Sequence, residues 1–370
     1  MRLLVIGVGD GGCRLASEFA RLDERARRER GAQIITSAYA INNDQEFLKG
    51  LARNKPRLLT TIPIRASNDF TVTTQEKGAQ LMREESGRII AAMRPSEFYD
   101  TDGILFITSA AGNLGSGSVP VIAQNLKERH IGKPIHVMVT LPFESECSNP
   151  QLVYNTAISL KALHQTTDAI FLFENDRFKL NPKSSKPEGL DEINKDMVSY
   201  FYDLLCSTGE AGARHRGVKA LGIGDIDQTL IGWTAIGIGA TDFPMTRGLL
   251  KREKTFKEKG SETRKIMEAM NSALSHVSVG CKLEDASKAL YLLSIPEGGI
   301  NIDMAKVLGN HLREVTNDAE IRGGDFYGTR DTAQVTLVIS GLNYIEIVKT
   351  YFDKATTAAR DNIQEKTATE

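Results

Sequence analysis

The stretch Asp102 to Pro120, DGILFITSAAGNLGSGSVP, constrains the fold of this chain more than any other. Gly103-Ile104-Leu105-Phe106-Ile107 is an unbroken apolar run, the pattern of a strand buried on both faces. Small residues follow from Ser109 to Gly117, and Val119, Ile122, Ala123 and Leu126 then recur as one face of a helix. A strand, a glycine-rich turn and a helix N-terminus make an anion site. The glycines let backbone N–H groups approach an oxyanion, and the helix dipole favours negative charge. The same glycines also suit a tight turn that needs only their dihedral freedom, and this stretch alone leaves both readings open.

A second glycine turn opens the chain. Leu3 to Ile6 reads as a strand, Gly7-Val8-Gly9-Asp10-Gly11-Gly12 matches G-x-G-x-x-G, and Cys13 to Arg30 continues as a helix. Strand then helix is the context of a dinucleotide fingerprint, although many α/β proteins use glycines here for helix–sheet packing alone. Ile34 to Ile41 is a further strand ending in Asn42-Asn43-Asp44, where short polar side chains either face a ligand crevice or form an Asx turn. A helix is predicted over Gln75 to Met93, capped by Thr73 or Thr74 and ended by Pro95. Ile135 to Leu141 and Ala169 to Phe173 are strands, with a helix over Leu152 to Leu163 between them. Polar residues gather at the strand ends, Glu144 to Glu146 and Glu174 to Arg177. Alternating strands and helices predict an α/β fold with a doubly wound, mostly parallel sheet.

Asn54 to Thr74 reads as polar and irregular, and Pro182 to Gly189 as a surface loop. Leu190 to Leu205 carries Ile193, Met197, Val198, Phe201, Leu204 and Leu205 at the spacing of a half-buried helix. Ser207 to Gly217 is a linker. Beyond it, strands at Trp233–Ala240, Ala289–Ile295 and Gln334–Ser340 and helices at Ile266–His276, Met304–Val315 and Asn343–Ala358 predict a smaller α+β part. The charge run Lys251 to Lys259 reads as a solvated helix face. The expected organisation is a Rossmann-like nucleotide-binding domain over 1–189, a long central helix and linker over 190–217, a C-terminal α+β domain over 218–358, and a frayed polar tail over 359–370.

Composition excludes several classes. Lys+Arg is 46 and Asp+Glu is 47, so the formal net charge of -1 argues against nucleic acid or an anionic membrane as a general partner. No apolar run approaches the ~20 residues of a membrane span, and the N-terminus lacks a signal-peptide cleavage pattern. Cys13, Cys147, Cys206 and Cys281 form no C-x-x-C pair, and the six His show no ligand spacing, so no metal ligands are assigned. These features predict a cytoplasmic protein.

Two glycine loops in one sheet suggest a triphosphate held from both sides. With Phe171-Leu172-Phe173-Glu174-Asn175-Asp176, Leu190-Asp191-Glu192-Ile193-Asn194 and Val335 to Gly341, the chain resembles the tubulin/FtsZ superfamily over nearly its whole length, most of all the archaeal CetZ branch. The resemblance implies GTP or GDP with Mg²⁺, a GTPase, and head-to-tail self-assembly into protofilaments. Filament-associated proteins and a role in cell shape or division go with it. Gly9, Asp10, Gly11, Gly12, Cys13 and Arg14 would line the first phosphate loop, with Asn43 beside it. Gly112, Asn113, Leu114, Gly115, Ser116 and Gly117 would form the second. Glu146 would accept the ribose hydroxyls, Asn175 and Asn194 would read the guanine edge, and Leu190 stands where the family has a base-stacking ring. Asp225, with Asp227 as second choice, would activate water at the next subunit's nucleotide. The family's signature Thr is Leu114 here, and Gly222 replaces a first acid of the activating loop. A weak GTPase and a non-hydrolysing regulator of a filament system therefore both stay open, as does a Rossmann oxidoreductase using NAD.

Overall fold

The computed structural model describes residues 1–65, 72–129, 132–179, 187–208, 217–243, 256–296, 302–328 and 331–369. The predicted loop Pro182–Gly189, linker Ser207–Gly217 and charge run Lys251–Lys259 fall mostly outside these residues. The chain divides into two compact units, one of Arg2–Glu24, Ile35–Val198 and Tyr344–Glu370, the other of Met1, Arg25–Ile34 and Ser199–Asn343.

The first unit alternates β1 (Leu3–Val8), α1 (Gly9–Arg30), β2 (Ile35–Asn42), α2 (Gln45–Arg53), β3 (Leu59–Pro63), α3 (Gln75–Ala92), α4 (Pro95–Asp100), β4 (Gly103–Ser109), α5 (Asn113–Glu128), β5 (Ile135–Leu141), α6 (Pro150–Thr166) and β6 (Ala169–Glu174). The strands lie in the order β3-β2-β1-β4-β5-β6. Every pairing is parallel. This is the doubly wound order, in which the crevice at the reversal of strand order, between β1 and β4, is the ligand position. β1 and β5 are buried along their whole length and β4 nearly so, as strands covered on both faces must be. α7 (Pro187–Ser199) and α12 (Glu346–Thr369) complete this unit, α12 packing on α6.

Four local differences from the sequence reading have physical causes. The stretch from Asn54 contains β3, an edge strand on β2 that ends at Pro63, where a missing N–H costs no ladder bond. α5 begins at Asn113, inside the glycine run, because that run is buried against α3: a Cβ on Gly117 would lie 2.1 Å from the Gln75 carbonyl oxygen. The helix expected over Leu190–Leu205 is interrupted at Tyr200–Phe201 and resumes as α8 (Tyr202–Cys206), although its apolar stripe is buried as expected. The polar tail continues α12 to Thr369, as its Ala, Arg, Gln, Glu and Lys content allows.

The second unit holds α8, α9 (Ile223–Thr229), β7 (Gly232–Asp242), α10 (Phe256–Ser275), β8 (Lys288–Ile295), α11 (Ile302–Val315), β9 (Glu320–Tyr327) and β10 (Thr332–Leu342). Its strands run β7-β10-β8-β9. β10 is antiparallel to both β7 and β8, and β8 is parallel to β9, a strand the sequence reading lacked. α10 lies directly on β7, where Gly237 and Gly239 leave room: added Cβ atoms would approach the Ala273 and Ala269 carbonyl oxygens to 2.3 and 2.0 Å. Among the described residues, no helix is long and apolar enough to cross a membrane.

Candidate functional site

Both glycine loops emerge at the carboxyl ends of adjacent strands. β1 runs straight into α1 through Gly9 at φ +75°, a left-handed conformation that favours glycine. β4 leads through Ala110–Gly112 into α5. The loops touch: a Cβ on Gly9 would be 3.5 Å from the Gly115 nitrogen, and one on Gly115 would be 2.7 Å from the Val8 carbonyl oxygen. Two helix N-termini thus converge on the crevice between β1 and β4. The first N–H groups of each helix have no intrahelical acceptor. α5 has no side-chain cap at Gly112 and no acidic residue in its first turn, which leaves those donors to a ligand anion.

Buried amides fix the loops. Asn42, 1% exposed at the end of β2, donates from Nδ2 to Asp10 Oδ1 at 2.6 Å and accepts the Asp44 N–H at 3.1 Å. Asp44 caps α2, accepting the Phe47 N–H at 2.9 Å, so the Asx reading holds for it. Asn155, fully buried in α6, donates to the Ala111 carbonyl at 3.1 Å and to Asn113 Oδ1 at 2.8 Å, and accepts from Gln151 Nε2 at 2.8 Å. Asn42 is named from the sequence only as part of the polar strand end Asn42–Asp44, and Asn155 is not named at all. Asn42 carried a signal, an amide at a strand's carboxyl end; Asn155, in mid-helix, carried none. Asn43, next to Asn42, is half-buried.

The remaining candidates behave differently from one another. The Cys13 thiol points into the core, donating to the Gly7 and Ile41 carbonyls at 3.6 and 3.3 Å, and burial pushes its pKa up, so only its backbone serves the loop. Leu114 is 7% exposed, its Cα close behind Gly78 of α3. Ser116 is fully buried, and its Oγ has no partner. Gly117 is required by α3 rather than by the crevice, whereas Gly112 has open space around it. Glu146 closes a 3₁₀ turn after β5, its Oε2 accepting the Phe143 N–H at 2.8 Å. Asn175 opens a 3₁₀ turn after β6, and Asp176 fastens the two turns by accepting the Glu144 N–H at 2.7 Å. One turn along α1 from the first loop, Arg14 and Asn194 line a cavity of about 600 Å³, while Leu190 at the start of α7 is 38% exposed.

Asp225 and Asp227 belong to the second unit, in α9. Asp225 accepts the Gly222 N–H at 2.8 Å and pairs with Arg322 at 3.6 Å. Arg322 also pairs with Glu320 at 2.7 Å and donates to Gln228 Oε1 at 2.7 Å. Among the described residues, no group of three or more His, Cys, Asp or Glu could hold a metal ion. Asp10, steadied by Asn42, is the carboxylate at the first loop, a ligand type that magnesium takes together with waters and phosphate oxygens.

The Tubulin/FtsZ family GTPase-domain profile matches residues 2–181, and the Tubulin-like CetZ C-terminal-domain profile matches residues 184–357. The tubulin-like protein CetZ1 of Haloferax volcanii is 27% identical over 383 aligned positions, covering 99% of this chain and 94% of the relative. The GDP-bound monomer of CetZ1 from Haloferax volcanii superimposes with a TM-score of 0.79 at 23% identity, covering 97% of this chain and 100% of that one. The GTPγS-bound protofilament of CetZ2 from the same organism gives 0.80 at 21% identity, covering 98% and 99%. The two profiles account for the first and second halves of the sequence in turn, and the chain belongs to the tubulin/FtsZ superfamily, joining its GTPase domain to a CetZ-type C-terminal domain.

Proposed function

We propose that this protein binds guanine nucleotide in the crevice between β1 and β4 and assembles head-to-tail into protofilaments, as a cytoskeletal element of cell shape. One observation carries the binding reading: the N-termini of α1 and α5, the latter without a side-chain cap, are brought together at Gly9 and Gly115 and offer backbone donors from two sides. A single fingerprint would suffice for one pyrophosphate, so the oxidoreductase reading leaves the second loop without a task. The relatives' GDP-bound and GTPγS-bound forms support the choice of guanine nucleotide, and the CetZ2 protofilament supports self-assembly.

In this reading the free first-turn N–H groups of α1 and α5, in the loops lined by Gly9 to Arg14 and Gly112 to Gly117, bind the phosphates, Glu146 the ribose, and Asn175 and Asn194 the base. Magnesium, when bound, neutralises charge on the phosphate oxygens. Asp225, with Asp227 as second choice, acts on the nucleotide of the next subunit, so hydrolysis is completed only in the polymer. A heterologous contact of this kind does not close and makes a filament. A specific observation favours a second reading, binding without turnover: the position of the signature Thr carries Leu114, a buried apolar side chain that offers phosphate no hydroxyl.

The test is to denature the purified protein and identify the released nucleotide by chromatography. GDP or GTP is the expected product. Release of NAD, or of adenine nucleotide alone, overturns the reading. Phosphate release from added GTP then separates hydrolysis from binding without turnover.

A further inference from the structure

We infer that Arg14 and Phe47 form a stacking platform for the purine base; the inference rests on the nucleotide reading above. The cavity of about 600 Å³ lies along α1 from Arg14 to Arg21, between α1, α2 and α7. Arg14, Ser17 and Glu18 of α1, Phe47 of α2 and Asn194 of α7 line it. Ser17 is five residues beyond Gly12, about 7 to 8 Å along a helix axis, so a nucleotide whose phosphates sit on the glycine loop reaches the cavity with its base.

The chemistry of the lining suits a flat ring. The Arg14 guanidinium carbon lies 5.2 Å from the Phe47 ring centroid, within cation–π range. A planar guanidinium stacks on aromatic faces, is weakly hydrated, and presents a second flat face of its own. Every base has a π-face to offer such a surface. Asn194 supplies a donor and an acceptor in the same cavity, so stacking and edge reading have separate residues. The far end is fixed: Arg21 donates to the Asn54 carbonyl at 2.9 Å and pairs with Glu18 at 3.3 Å, tying α2 to α1.

The test measures GDP and inorganic pyrophosphate affinities on the full chain, by displacement of a fluorescent GDP analogue, for the parent, Phe47→Ala, Phe47→Tyr and Arg14→Lys. Stacking predicts that Phe47→Ala and Arg14→Lys each weaken GDP by about tenfold, that Phe47→Tyr stays within about twofold, and that pyrophosphate is unchanged within about twofold throughout. Phe47 is a half-buried residue of a surface helix, and circular dichroism on each variant verifies the fold. GDP affinity unchanged in both Phe47→Ala and Arg14→Lys overturns the platform. Equal losses for GDP and pyrophosphate also overturn it, since they mark a phosphate contact. A parent chain that binds no GDP overturns the nucleotide reading itself, which is a distinct result.

Discussion

Gly112 and Gly115 stand three positions apart in one loop and are glycine for different reasons. A Cβ on Gly115 would meet Thr108 Oγ1 at 2.2 Å and the Val8 carbonyl oxygen at 2.7 Å; on Gly112 its nearest contact is 4.0 Å away. Gly115→Ala is therefore expected to cost about 1–3 kcal/mol in denaturant unfolding, from overpacking. Gly112→Ala should stay within about 0.5 kcal/mol. Equal effects would contradict the loop geometry. His136 gives a second prediction. It is 1% exposed in β5, neither ring nitrogen hydrogen-bonds, and burial lowers its pKa to about 4, against a raising effect of Asp168. The unfolded chain, with an ordinary value of 6.5, binds the proton first, so stability is complete above pH 6.5 and falls as pH drops from 6.5 towards 4. The loss is roughly 3 kcal/mol across that window. His136→Leu should flatten this slope in urea titrations, and an unchanged slope would assign it to other groups. At this scale the sequence revealed residue types better than directions. Asp10 and Asn42 were visible as polar groups at strand ends, but the inward turn of Cys13 and the pairing of Arg14 with Phe47 depend on neighbours brought in by β2 and α2, which no local pattern encodes.

α9 separates structural from chemical duty at the element scale. Its third residue, Asp225, reaches back to the Gly222 N–H and pairs with Arg322, so it caps the helix whatever else it does. Asp225→Ala should lower stability by about 0.5–1 kcal/mol, whereas Asp225→Asn retains an acceptor for the N–H and should cost less. If Asp225 also activates water, Asp225→Asn must abolish phosphate release while keeping most of that stability. Parent-like turnover in Asp225→Asn would remove it from the chemistry. β1, β4, β5 and β6 were legible because each is a largely apolar run, and α3 because Thr74 caps it and its apolar spacing is regular. β3, α2 and α9 were not: they are short, polar and stabilised by what they pack on. The glycine run 112–117 reads as loop by propensity and is helix because small residues let α5 lie against α3, where burial outweighs the glycine cost.

Across the whole molecule, the proposed function pairs the nucleotide crevice of one copy with an acid, carried in the other unit of the fold, that would act from another copy of the chain. Only a subunit with a neighbour then owns a complete site. In the proposed mechanism the acid also couples chemistry to polymer lifetime, because GTP that is not hydrolysed would keep the contact loaded. Asp225→Ala should therefore give longer-lived polymers in GTP by light scattering, with nucleotide affinity nearly that of the parent. Rapid disassembly at the parent's rate would break that coupling. The most direct test of the central claim is phosphate release per subunit, measured across a wide range of protein concentration with light scattering on the same sample. The account predicts turnover per subunit that rises with concentration and climbs together with assembly. Turnover per subunit that stays flat from dilute monomer to polymer would contradict it.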